Sequence, residues 1–433
     1  MRLAAPVAVG RLGVVGMGVV DAVVVGQVAP GELAHQALGW TINGPALLGG
    51  IGLLFGVQVL TARLVGAGDA AETGAVWRRG LAIAAATGLV VCAVAWGLGP
   101  LPLITFGVAP QLARSGAAVA VVLALSIPFH LAFMASTNFL EALQRPTPGA
   151  ITMWAANGVN LAFNLAFVPH WGALGSAWAT VLSRVFLAAA IIVFILRAPS
   201  LRPLLGTSAG TKEDGYLVLL TIGTAAALSA MVEAGAFAAM GVIAGRIDAT
   251  SVATFSIATG GLVTLVYLLA QGLSTAGAVL ASEAIGAGAW EDARRVGWRA
   301  LGLTLAAMAA CGTGCVFFAD TVARAFSSDS AIVAAFGANM SLVALLMIAD
   351  GGQGITDALL RVRGENWLPT LARLVPFVFI APPLALYFSE HRGYGVSGVF
   401  AALLLASWLA FAVLFARLGM RRRPPVAAPL TTM

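Results

Sequence analysis

Charge is scarce in this 433-residue chain: Asp, Glu, Lys and Arg make up only 10% of it, against about 25% in soluble globular proteins. That excludes a water-soluble fold. It also excludes disorder, which needs high charge and low hydrophobicity. Cysteine is scarcer still. Cys92, Cys311 and Cys315 all lie in apolar stretches, so neither a disulfide framework nor a thiolate metal site is expected. The one lysine, Lys212, follows Thr211, so the Gly-x-x-x-x-Gly-Lys phosphate loop is missing and no ATPase is visible. No His-Glu-x-x-His occurs, and His35, His130, His170 and His391 are scattered along the chain. Gly272-Leu-Ser274-Thr-Ala276 misses the nucleophile elbow by one residue. No enzyme, no metal and no cofactor are therefore expected.

What the chain does have is apolar length. Hydrophobic residues make up 60%, and the mean hydropathy is +0.95. At about 20 apolar residues per span, twelve runs fit: 4–28, 38–64, 79–105, 113–142, 148–169, 172–197, 216–245, 257–287, 296–324, 331–361, 367–388 and 394–418. The first is too long for a signal-peptide core and holds Asp21, so it is read as a span. The 51 glycines suit helices that approach closely in lipid. With the N-terminus in the cytoplasm, inner segments hold 17 of the 24 Lys and Arg residues and outer loops hold four. Arg11, Arg184 and Arg373 lie within spans. This bias follows the positive-inside rule and places both termini in the cytoplasm of a cell-membrane protein. It also accounts for the net charge of +6 without a nucleic-acid partner.

The chain is written twice. Val65-Gly-Ala-Gly68 and Trp77-Arg-Arg79 return as Ile285-Gly-Ala-Gly288 and Trp298-Arg299. Gly172 and Gly175 return as Gly395 and Gly398, and Pro148 as Pro369, all at offsets of 220 to 223. Gly395-Val-Ser397-Gly398 resembles an intramembrane protease motif, but its repeat partner keeps the glycines and lacks the serine. The motif is thus read as a small-residue helix start. Each half holds an even number of spans, so the copies are parallel repeats, a recurring transporter plan. The expected fold is an all-α polytopic membrane protein: twelve transmembrane helices in two parallel-repeat six-helix bundles around a central cavity. The expected parts are an amino-terminal lobe (1–197), a cytoplasmic linker rich in Gly, Pro and Ser (198–215), a carboxy-terminal lobe (216–420) and a basic cytoplasmic tail (421–433).

Most acids sit in loops, but Asp21, Glu233 and Asp350 fall inside spans. A charge at the bilayer centre costs about 2.5–3.5 kcal/mol on insertion scales. Gln353 and Asp357 share the Asp350 face, at i+3 and i+7. Each acid has two readings. It is neutral or arginine-paired and glues helices, or it faces a water-filled cavity and binds a cation or proton. Burial favours the neutral form of a carboxyl group, so such an acid can load and release a proton near neutral pH. Asn157, Asn160 and Asn164 form a polar stripe, either for interhelical hydrogen bonds or to line the Asp21 site. Glu141 and Glu283 are expected at cytoplasmic ends. Pro45, Pro128, Pro376, Pro382 and Pro383 fall inside spans, where bent helices are tolerated if the freed carbonyls find partners.

Over nearly its whole length the chain resembles the multidrug and toxic compound extrusion (MATE) family. The resemblance rests on several features taken in order. These are Pro6 followed by GMGVVDAVVVGQ, the Gly-Ala-Gly turns at 66–68 and 286–288, Asn160 and Asn164, Glu233 four residues before Phe237, and Asp350 and Gln353 followed by Leu360-Arg361. The NorM-like branch is the nearer likeness. Two departures are Leu346, where an aromatic is usual, and Val362, where a glycine is usual. The resemblance implies that Asp21, helped by Asn160 and Asn164, is an amino-lobe proton site. It implies that Glu233 and Asp350, with Gln353 and Asp357 beside them, form a carboxy-lobe cation site. Phe133, Trp154, Asn157, Phe237, Met240 and Tyr267 are candidate substrate-cavity residues. The implied function is antiport. Small amphipathic organic cations leave by alternating access in exchange for protons, with sodium as the alternative ion. No obligate protein partner is expected beyond the surrounding lipid. A flippase for lipid-linked saccharides or peptidoglycan precursors is the rival, and it would want a more cationic cavity.

Overall fold

Hydrocarbon offers no partner to a backbone N–H or C=O, so a chain that crosses it must pair those groups internally. The computed structural model meets this demand with helices. It describes residues 3–105, 108–206, 214–327 and 329–420, and among these no strand occurs. The calls on the tail at 421–433, and on the central part of the linker at 207–213, fall outside the described residues.

Eleven helical stretches are long and apolar enough to cross a membrane. They are α1 (Ala4–Val28), α2 (Pro30–Ala67), α3 (Ala70–Leu98), α4 (Pro110–Ala142), α5 (Thr147–Arg197), α6 (Gly215–Ile247), α7 (Ala249–Gly286), α8 (Trp290–Phe317), α9 (Ser330–Val362), α10 (Trp367–His391) and α11 (Gly395–Gly419). The 51 residues of α5 would reach about 75 Å if straight, far beyond a hydrocarbon core of about 30 Å. The chain breaks it at Gly172, whose φ of 54° and ψ of −133° are not helical. The two arms match the runs read at 148–169 and 172–197, and twelve membrane helices result.

Several other irregularities sit near prolines, while the π-turn at Ile257–Val263 in α7 contains none. Proline lacks the N–H that an interior helical turn needs. α4 divides into Pro110–Ala124 and Ile127–Ala142 just before Pro128. In α10 the segments Val375–Ile380 and Tyr387–His391 widen to π-turns, the first beginning beside Pro376. Pro45 is carried inside the regular helix Leu33–Leu53.

The duplication is visible in the backbone. Gly68 (φ 86°) ends α2, and Gly288 (φ 73°) follows the end of α7. In each case the next amide reaches back five residues, Asp69 to Leu64 O at 2.9 Å and Ala289 to Ala284 O at 2.8 Å. This is the Schellman closure, for which glycine is the default residue. The same closure follows α4 and α9, where Arg145 bonds Leu140 O at 2.8 Å and Glu365 bonds Leu360 O at 3.0 Å. Gly364 takes the positive φ in the second copy and Gln144 in the first.

Packing divides the chain into two compact units, Val9–Ala227 (the amino unit) and Met1–Ala8 with Leu228–Met433 (the carboxy unit). The division falls inside α1 and α6, and the amino unit extends past residue 216. In the amino unit, Trp77 stacks on Phe139 with centroids 5.8 Å apart, in a core with Leu54, Leu131 and Met134. A Cβ on Gly88 would lie 2.5 Å from Pro128 Cα, so glycine sets how closely α3 and α4 approach. The described part of the linker is ordered: Arg202–Leu205 makes a helical turn, and Arg78 Nη1 donates to Leu205 O at 3.2 Å. In the carboxy unit, Phe255, Phe336, Phe377 and Phe400 are buried together. A Cβ on Gly352 would lie 2.6 Å from the Phe411 ring.

Candidate functional site

In the amino unit the break in α5 assembles a site that neither arm makes alone. Asp21, on α1, is 1% exposed. Asn160 Nδ2 and Asn164 Nδ2, on the first arm, donate to its Oδ1 at 2.9 and 2.7 Å. Thr180 Oγ1, on the second arm, donates to its Oδ2 at 2.7 Å. Gly175 lets the arms close up: a Cβ there would lie 2.5 Å from Phe167 O. Three neutral donors thus converge on one buried carboxylate. Among the described residues no ion pair reaches Asp21. The Oδ1 atoms of Asn160 and Asn164 are buried and have no hydrogen-bond partner among the described residues. Rotation of either amide would present an acceptor to a protonated Asp21, so the site can hold the acid in both protonation states.

Asn157 stands one turn along the same stripe. It bonds backbone rather than acid, donating to Gly13 O and Met153 O, both at 2.9 Å. Thr180 is the residue that sequence reasoning missed. Its signal was present: Ser176, Thr180, Ser183 and Arg184 are polar at helical spacing in an apolar span. Ser176 accepts from Gln36 Nε2 at 3.2 Å. Arg184 Nη1 donates to Ser126 Oγ at 2.9 Å and lies over the Trp40 ring at 5.3 Å. Glu141 departs from its expected loop-side place. It is buried, 3.7 Å from Arg11 Nη2, and it accepts from Gln58 Nε2 at 3.1 Å.

The carboxy unit gathers the other acids by different means. Glu233 on α6 pairs with Arg373 Nη1 on α10. Arg373 Nη2 lies 3.7 Å from Asp357 Oδ2. Asp357 also accepts from Arg361 Nε, one turn on along α9, at 2.6 Å. For these two acids the arginine-paired reading describes the geometry. Asp350 is different: it is 4% exposed and has only long contacts, to Gln353 Nε2 at 3.5 Å and Ser407 Oγ at 3.4 Å. Among the described residues no ion pair reaches it.

The residues read as cavity walls fall into both units. Phe133 is buried in the amino core. Trp154 is 49% exposed, and its Nε1 donates to Val9 O at 3.1 Å. Met240 is fully buried in the carboxy core, with Phe237 half-buried against it. Tyr267 is half-buried beside α9, where a Cβ on Gly354 would lie 3.2 Å from its hydroxyl. Among the described residues no group of three or more His, Cys, Asp or Glu is arranged to hold a metal ion.

Comparison with known proteins agrees with the duplicated plan. The family profile described as MatE matches twice, over residues 6–166 and 225–386. A Caulobacter vibrioides protein described as a probable multidrug resistance protein, NorM, is 34% identical over 431 residues, covering 97% of this chain and 90% of its own. The crystal structure of a eukaryotic MATE transporter, AtDTX14, superposes with a TM-score of 0.87 at 16% identity, covering 98% of this chain and 95% of that one. A Pyrococcus furiosus transporter of the MOP superfamily, described as having a binding pocket of reverse polarity, gives 0.87 at 18% identity, covering 96% and 94%.

Proposed function

The chain belongs to the MatE family of multi-pass membrane transporters, and we propose that it is a proton-coupled antiporter exporting amphipathic, mostly cationic drugs or toxins from the cytoplasm by alternating access. One observation carries the reading. Asp21 is a buried carboxylate in a membrane helix, satisfied by three neutral donors and no ion pair among the described residues. An acid kept only to glue helices is paired with a resident cation or stays protonated. One held by neutral donors keeps a charge that an exchangeable cation can meet. The description of the Caulobacter relative as a probable multidrug resistance protein supports the substrate class. We place the chain in the plasma membrane with both termini cytoplasmic, on the bias of its basic loops. It needs no cofactor and no obligate protein partner in this scheme.

Protonation from outside neutralises Asp21 and releases the drug, and deprotonation inside restores the site. Exchange of one proton for one monovalent cation moves no net charge, so the membrane potential of about 2.3 kcal/mol per charge per 100 mV drops out. One pH unit then supplies about 1.4 kcal/mol, roughly a tenfold drug gradient. The flippase reading would need a cationic pocket to grip pyrophosphate, whereas Arg11 and Arg373 are engaged with carboxylates and Arg184 with Ser126 and the Trp40 ring.

The test is Asp21→Asn. The expected result is loss of resistance to ethidium-like dyes, and of dye efflux from everted vesicles, at unchanged expression. Wild-type efflux from that variant would refute the role. Rescue of an envelope defect, in place of dye protection, would favour the flippase.

A further inference from the structure

Arg373 enters the acid cluster of the carboxy unit from α10. It is 4% exposed. Its two terminal nitrogens face Glu233 and Asp357, and its Nε has no hydrogen-bond partner among the described residues. Arg361 is placed otherwise. Beyond Asp357 it is tied to Asn366 O at 2.9 Å and Thr370 Oγ1 at 3.3 Å, so it also serves as a clamp on the chain that follows α9. Among the described residues the Arg373 guanidinium is paired with the acids alone. A guanidinium cannot be deprotonated in a protein, and one tethered to the same fold competes at high effective concentration with any free ion for the same oxygens. Asp350, Asp357 and Glu233 face two guanidiniums, which leaves one negative charge when all are ionised. Asp350 is the acid that no ion pair reaches among the described residues. Gln353 beside it keeps a buried Oε1 without a partner among the described residues.

We propose that Arg373 is a tethered counter-cation that fills, within the carboxy unit, the place a free metal cation would take. This unit then exchanges a single positive charge at Asp350, carried by a proton or by an organic ammonium, and takes no sodium. The inference rests on the reading of the chain as a cation exchanger, and it fixes that exchanger's ion choice in one of its units. Glu233 and Asp357 are then specificity-determining through Arg373. They hold the guanidinium and do not themselves meet the ion.

Radioactive sodium binding to purified protein in detergent tests this apart from transport, so a failure of the efflux reading stays distinguishable. An Asp21→Asn background removes the amino-unit acid. In that background no saturable sodium binding is expected. Adding Arg373→Gln should create a saturable site of about one equivalent, since it frees Glu233 and leaves the three acids Glu233, Asp350 and Asp357 with Arg361 as their one guanidinium among the described residues. Arg373→Lys keeps the charge and should leave sodium unbound. Two results would overturn the proposal. One is saturable sodium binding in the Asp21→Asn protein that Glu233→Gln or Asp350→Asn abolishes. The other is no gain in an Arg373→Gln protein with a native thermal transition. The Asp21→Asn arm decides the matter even where Arg373→Gln fails to fold, because a sodium site dependent on Glu233 is incompatible with a resident guanidinium.

Discussion

Gly172 and Gly395 offer a controlled perturbation, because the duplication placed the same backbone device in two chemical settings. Both have φ of 54°, a region that L side chains rarely adopt. Gly175 and Gly398, three residues on in each copy, sit where a Cβ would lie 2.5 Å from Phe167 O and 2.7 Å from Phe388 C. The pairs therefore build the same tight bend. Substitution by alanine at either φ-positive glycine forces a strained backbone costing about 1–3 kcal/mol. A Cβ at Gly395 meets nothing within 4 Å, while one at Gly172 meets the Glu32 side chain at 2.8 Å. Glu32 is half-exposed at its carboxylate and can swing aside, so the two stability losses should agree within about 1 kcal/mol. The functional losses should not agree. The Gly172 bend sets the distance between Asn160 and Asn164 on one arm and Thr180 on the other, and hence whether all three reach Asp21. Even one lost hydrogen bond to a charged group is worth about 1.5–3 kcal/mol, a factor of ten or more in the proton equilibrium. The assay is thermal unfolding of Gly172→Ala and Gly395→Ala in detergent, with dye efflux normalised to folded protein. Equal efflux from the two variants at matched stability would refute the claim that the bend positions the donors of Asp21 for the proposed proton exchange.

Two further outcomes follow from the same geometry. Thr180→Val removes one donor to Asp21 and should cut dye efflux about tenfold or more, while Thr180→Ser, which keeps the hydroxyl, should retain most of it; efflux in vesicles separates the two. Gly364→Ala, at φ 90°, should lower the thermal stability by about 1–2 kcal/mol, whereas Gln144→Gly relieves the same strain at the repeat position and should raise stability by at most about 1 kcal/mol, because glycine also gains unfolded-state freedom.

The twelve spans, the repeat and the isolated acids were legible because lipid makes each a rule of composition. An apolar run has no other use at that length, and an acid in one has few tolerable surroundings. Asn160 and Asn164 could be joined to Asp21 by resemblance, yet Thr180 could not. It lies 16 residues beyond Asn164, and only the reversal at Gly172 brings it back. Pairing was also hidden. Arg373 stands 140 residues from Glu233, and spacing says nothing about which intramembrane arginine meets which acid. Glu141 misled because nearness to a helix end says nothing of burial: the same end of α4 is packed in the core of its unit, where Arg11 and Gln58 meet the carboxylate.

The two copies have kept their backbones and exchanged their chemistry. Positive-φ residues recur at matched positions: Gly68 with Gly288, Gln144 with Gly364, Gly172 with Gly395. These are fixed by sterics that any sequence in the fold must satisfy. The acids recur by no such rule. Asp21 is bonded by two amides and a hydroxyl, which carry no charge, and Arg184 acts on it only across space. Glu233 and Asp357 are met by guanidiniums, so their charge is already answered, and only Asp350 is left in the condition of Asp21. On the proposed reading the two units hold exchange acids of unequal surroundings: neutral donors bond Asp21, with Arg184 acting on it across space, while Asp350 sits beside a cluster held by two guanidiniums. Since a fixed cation disfavours a second positive charge nearby, a cationic substrate should prefer the amino-unit acid. Asp21→Asn should therefore cost more of the affinity for a monovalent dye than Asp350→Asn, measured by equilibrium binding to the purified proteins. The opposite order would show that the arginines do not screen Asp350.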